Sequence, residues 1–153
     1  PLPPVAREWP ENRWDYFAAD TAETALFRGE TLLHTDINPS NVLIGRQHTW
    51  VVDWAWPTRG AAFIDIACLV VQLIASGHHP ESAEEWASSC AVWAEAEPKA
   101  VDAFAAANLR MYRRRADRNP ETEWLQAMAD AAQKWADLRT GSTPSNLANS
   151  WRR

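Results

Sequence analysis

The feature that most constrains this chain lies between residues 31 and 53. Three short apolar runs, Leu32-Leu33, Val42-Leu43-Ile44 and Val51-Val52, are separated by a polar loop and a turn. The loop reads His34-Thr35-Asp36-Ile37-Asn38-Pro39-Ser40-Asn41, and the third run ends at Asp53-Trp54. Runs this short read as strands, at about 31–34, 42–45 and 49–53. Gly45-Arg46-Gln47-His48 is then a hairpin turn, and His48 a loop residue. Such a fold presents the polar loop at the end of a small β-structure. Ile37, Val42, Leu43 and Ile44 would anchor it in the core, and Pro39 stiffens it by fixing φ.

The residue types in the loop point to a chemistry. His-x-Asp-x-x-x-x-Asn with a later Asp is an order used in phosphoryl transfer. A transferring phosphoryl group spreads negative charge over its oxygens, so catalysis is mostly positioning and charge neutralisation. Asp36 would aim the attacking hydroxyl or accept its proton. Asn41 and Asp53 offer hard oxygen atoms suited to Mg2+, which fills its octahedron with water and phosphate oxygens. The structural alternative is a hydrogen-bonded turn in which Asp53 caps a helix.

These residues resemble the catalytic loop and metal-binding strand of the protein-kinase-like superfamily, and within it the aminoglycoside phosphotransferase family. The resemblance rests on His34, Asp36, Asn41 and Asp53, with Asp53-Trp54 standing where protein kinases have Asp-Phe-Gly, and on Phe63-Ile64-Asp65-Ile66-Ala67. It spans roughly residues 29 to 75. It implies an α+β, mainly helical fold, a kinase-like carboxy-terminal lobe whose short strands carry the catalytic loop. It also implies Mg2+ at Asn41 and Asp53, ATP or another nucleoside triphosphate as co-substrate, and a small-molecule alcohol as acceptor. His34 and Asp65 would support the loop, Asp65 through backbone amides. Nothing upstream resembles the family's glycine-rich phosphate loop, or its nucleotide-clamping Lys and Glu. The expectation is a catalytic lobe that is inactive without an amino-terminal lobe as partner. A non-catalytic, pseudokinase-like binding or regulatory module is the alternative, and a stand-alone helical interaction domain a more distant one.

Composition sets the remaining bounds. A chain of 153 residues fits one domain with a sizeable core. Its net charge of −5 gives nucleic acid or an anionic membrane no global electrostatic support as a partner. There is no apolar run long enough to span a bilayer and no basic-then-apolar leader, so the expected location is the cytoplasm. Cys68 and Cys90 read as buried free thiols in a reducing compartment.

Residues 1–13 are proline-rich and read as a linker or extended arm, 14–141 as the lobe, and 142–153 as a polar tail. Helices are expected over 14–28, 62–76 and 83–95, then after Pro98 and after Pro120. Asp20 with Glu23, and Ser82 with Glu85, have capping-box spacing. Gly29 and Gly141 can end helices in the left-handed conformation. Of ten tryptophans, Trp86, Trp93, Trp124 and Trp135 fall on apolar helical faces and are expected in the core. His78-His79 reads as solvated loop, Arg59 as an exposed loop arginine and Arg113-Arg114-Arg115 as a solvated face. The acids between 81 and 102 would suit a polycationic acceptor, or simply favour helix starts. No substrate-binding residue is assigned by the sequence. The acceptor stays open among aminoglycosides, macrolides, choline-like amines, homoserine and sugar amines.

Overall fold

Phe104 marks the centre of the core in the computed structural model of the chain, which describes residues 9–141. Its ring lies 4.7 Å from Trp14, 5.6 Å from Phe27 and 5.8 Å from Phe63. Most of the predicted arm and the whole predicted tail, with Trp151, lie outside the described residues.

The chain is mainly helical, with two small two-stranded sheets. In order come a 3-10 turn (Asp15–Phe17), α1 (Thr21–Leu26), β1 (Thr31–Leu33), a second 3-10 turn (Pro39–Asn41), β2 (Val42–Ile44), β3 (Thr49–Val51) and β4 (Thr58–Gly60). Then follow α2 (Ile64–Ala75), α3 (Pro80–Ser88), α4 (Ala91–Ala94), α5 (Pro98–Arg118) and α6 (Glu123–Thr140).

The long helices form for local reasons. Pro98 starts α5 at the first-turn position, where its missing N–H costs nothing. Gly141 ends α6 with φ of 68°, the left-handed cap. Buried alanines on both helices, among them Ala103, Ala107, Ala131 and Ala132, keep side-chain bulk low and let the pair pack closely. Helix α2 packs against α3, α5 and α6. It buries Ile64, Val70, Val71 and Ile74, each contributing about 1.5–3 kcal/mol. Arg139 ties three helices together. It donates to Asp102 (2.6 Å), to the Pro98 carbonyl (3.2 Å) and to Glu84 (3.2 Å), which also accepts from the Trp135 indole (2.7 Å).

β2 and β3 form the expected hairpin, with Val42 opposite Val51 and the turn closed by Gly45 N–H to His48 O at 2.9 Å. β1 pairs antiparallel with β4, Thr31 opposite Gly60 and Leu33 opposite Thr58. Arg59, expected in a loop, therefore lies on a strand, one too short to show an alternating pattern. Residues 9–11 run along its other edge. The Arg59 N–H donates to Trp9 O at 2.9 Å, and the Glu11 N–H to Arg59 O at 2.8 Å. The Glu11 carboxylate is buried, where Arg13 and Thr58 satisfy it.

Several expected boundaries are corrected. The helix over 14–28 is broken at Ala18, which is extended, and restarts where Asp20 accepts from Glu23 N–H at 2.9 Å. Gly29 is not left-handed; a side chain there would meet Gly60 O at 2.5 Å, so close backbone approach demands the glycine. The expected 83–95 helix is two helices, broken at the extended Cys90, and Pro80 at the first-turn position of α3 places Ser82 and Glu85 inside that helix. Pro120 precedes α6, which starts at Glu123. Trp135 is core, but Trp86 and Trp124 are 40% and 60% exposed, since Ala83, Ala87 and Leu125 fill those faces instead. Cys68 and Cys90 are free and half-buried. No helix among the described residues is long and apolar enough to cross a membrane.

Candidate functional site

The polar loop leaves β1 at His34 and is held from both sides. On one side, the His34 ring Nε2 lies 2.8 Å from Val52 O. A carbonyl only accepts, so Nε2 carries the proton and Nδ1 is the free acceptor. Nδ1 takes the Asp36 N–H at 3.2 Å. One neutral imidazole thus links the loop to the residue after β3. Trp54 packs edge-on against that ring, 4.8 Å between centroids, and its indole donates to Val51 O at 2.9 Å.

On the other side stands Asp65, in the first turn of α2. Its two oxygens accept the backbone N–H groups of His34 (2.9 Å) and Thr35 (2.7 Å). Bonds to a carboxylate are the stronger kind. Thr35 has φ of 61°, a region costly for a β-branched residue. Asp53 has φ of 60°. They are the two non-glycine residues with positive φ among the described residues, and both lie in this loop system. Such strain persists only where surroundings over-determine it, and it clusters at functional sites.

Asp36 is aimed by amides. Its Oδ1 accepts from Asn38 Nδ2 at 3.2 Å and its Oδ2 from Asn41 Nδ2 at 3.1 Å. Both amides also reach Asp36 O, at 3.1 and 2.9 Å. Asn38 caps the Pro39–Asn41 turn by accepting the Ser40 N–H at 2.9 Å. Asn41 is buried, and with its Nδ2 committed to Asp36 its amide oxygen is the atom left for a cation.

Asp36 and Asp53 line one open cleft of about 380 Å3, together with His34 and Thr35. Asn41 reaches it through Asp36 rather than as part of its wall. The rest of its lining is Arg13 and Trp14, Ala55 and Trp56 after β3, Cys68 of α2, and Met111, Tyr112 and Arg115 of α5. Burial, with the Asp65 carboxylate second, pushes the Cys68 thiol well above its usual range. Burial, then Cys68, does the same to the Tyr112 phenol. Both therefore stay protonated and neutral at physiological pH.

Sequence reasoning missed these lining residues and read Arg115 only as part of a solvated face. Only the i, i+1, i+4 spacing of Met111, Tyr112 and Arg115 hinted at a shared face. Arg59 is not among them; it lies on β4 and pairs with Glu30 at 2.7 Å. The acids of 81–102 are also absent from the cleft. Among the described residues no group of three or more His, Cys, Asp and Glu side chains is placed to hold a metal. Asn41 and Asp53 would be a two-oxygen set, which fits Mg2+ only if water or phosphate oxygens fill the remaining positions.

No protein-family model matches the sequence, and neither the curated proteins nor the solved structures contain a match to it.

Proposed function

We propose that this chain is the catalytic lobe of a small-molecule phosphotransferase, moving a phosphoryl group from ATP or a related nucleotide to an alcohol. The observation that carries the reading is the shared cleft of Asp36 and Asp53, with Asn41 bonded to Asp36 and the loop clamped at Asp65. A kinase-like carboxy-terminal lobe accounts for that combination of a short β-hairpin, a strained polar loop and a supporting helix start.

In this reading the acceptor hydroxyl rests against Asp36. Two amides fix that carboxylate, so little reorganisation accompanies the reaction. The hydroxyl oxygen bonds to the γ-phosphorus, the bond from phosphorus to the bridging oxygen breaks, and the hydroxyl proton passes to Asp36. Mg2+, when held by Asn41 and Asp53, supplies positive charge to the phosphate oxygens. Clamping of the nucleotide is assigned to an amino-terminal lobe, so the chain alone is proposed to be inactive.

The test is Asp36→Ala in the protein that joins this lobe to its nucleotide-binding partner. Turnover is expected to fall roughly 10²- to 10⁴-fold with the melting temperature little changed. Activity within about twofold of the parent would remove Asp36 from the mechanism, and the reading with it.

A further inference from the structure

Three consecutive arginines leave α5 in three directions, since successive helical residues are turned by about 100°. Arg113 bonds Gln133 of α6, and Arg114 lies over the Tyr16 ring at 4.5 Å. Arg115 alone of the three lines the cleft that holds Asp36 and Asp53. Among the described residues no ion pair or hydrogen bond engages its guanidinium. The second arginine of the cleft, Arg13, is already matched by the buried Glu11. A cation near the end of a helix is favourable in any direction. That alone does not place it, unpaired, on a concave site that two carboxylates also line.

The distribution of acids sharpens this. A polycationic acceptor needs carboxylates beyond those that run the chemistry. Glu84 and Asp102 are engaged by Arg139, and Glu97 by Lys99 at 2.9 Å, none of them on the cleft. The cleft's own acids are Asp36 and Asp53, both committed on the phosphotransferase reading. What remains for the acceptor is one unpaired guanidinium and aromatic surface. The volume of about 380 Å3 also lies near the small end for ligand sites.

We infer that the acceptor is a small hydroxy acid, its carboxylate paired with Arg115 while its hydroxyl reaches Asp36. A guanidinium fork matches a carboxylate with two parallel hydrogen bonds, which would orient the acceptor as well as hold it. The identity of the acceptor rests on the phosphotransferase reading; the anion site at Arg115 does not.

The experiment is a titration of the chain with three hydroxy acids (glycerate, tartrate and L-homoserine) and with the neutral alcohol glycerol. NMR signals of the Trp14 and Trp56 indoles report binding. At least one hydroxy acid is expected to shift them while glycerol does not. Arg115→Ala should weaken that hydroxy acid roughly 10- to 100-fold, the worth of a charge-assisted pair, and Arg115→Lys by less. Arg113→Ala, facing α6, should change nothing. Binding unaffected by Arg115→Ala overturns the inference. So does tighter binding of kanamycin than of every hydroxy acid, or an Arg115→Ala loss seen for tripolyphosphate alone, which would assign the arginine to the nucleotide. An Arg115-dependent hydroxy-acid site in a protein whose Asp36→Ala variant keeps full turnover would overturn the phosphotransferase reading and leave the anion site standing.

Discussion

Asp65 anchors the polar loop from outside it. It accepts two consecutive amides from a position 30 residues downstream, and one of them belongs to Thr35 in its unfavourable left-handed conformation. Without that carboxylate Thr35 has no reason to stay there, and Asp36 follows Thr35. Asp65→Ala would leave two part-buried amides without their acceptor, at about 1–3 kcal/mol each. We expect unfolding in urea to show a loss of about 2–5 kcal/mol. Asp65→Asn should fall between, since its side chain keeps one acceptor oxygen. A loss under about 0.5 kcal/mol for Asp65→Ala would mean the clamp contributes little.

At the scale of elements, the junction of α1, β1 and β4 depends on two glycines that touch. A side chain at Gly29 would meet Gly60 O at 2.5 Å and Ala61 Cα at 2.8 Å, both backbone and unable to swing aside. Gly60 in turn lies against Glu11, Leu33 and Phe27. The close approach lets β4 pair with β1 while Ala61 N–H bonds Phe27 O at 3.0 Å. Gly29→Ala should therefore destabilise the protein by about 1–3 kcal/mol, the usual cost of overpacking, and lower its melting temperature accordingly. An unchanged melting temperature would show that the two strands can separate without cost.

For the whole molecule, the cleft couples stability to alkaline pH. Cys68 and Tyr112 are both raised above their ordinary values of 9.0 and 10.0 by burial on its inner wall. The unfolded chain loses these protons first as pH rises, so it binds fewer protons than the folded protein. Stability must then fall with pH above about 9, by up to about 1.4 kcal/mol per pH unit for each group. Urea midpoints measured from pH 8 to 11 should decline, and a Cys68→Ala, Tyr112→Phe double variant should decline less steeply. Equal slopes for both proteins would show that neither group drives the effect.

Much of this could be read from order along the chain. The β2–β3 hairpin, the start of α5 at Pro98 and the left-handed cap at Gly141 depend on neighbours a few residues away, and short-range sterics decide them. The His34–Asn41 loop and Asp53 were legible as a candidate site for the same reason: their spacing is local. Pairing of β4 with β1, docking of residues 9–11, exposure of Trp86 and Trp124, and the choice of Arg115 over its two neighbours were not. Each depends on what packs opposite. Three residues show no strand period, four equivalent-looking tryptophans compete for one core, and three adjacent arginines differ only by rotation about a helix axis. Local sequence sets the conformations a segment can adopt; which surface each segment meets is settled only when distant segments close on one another and water is excluded between them.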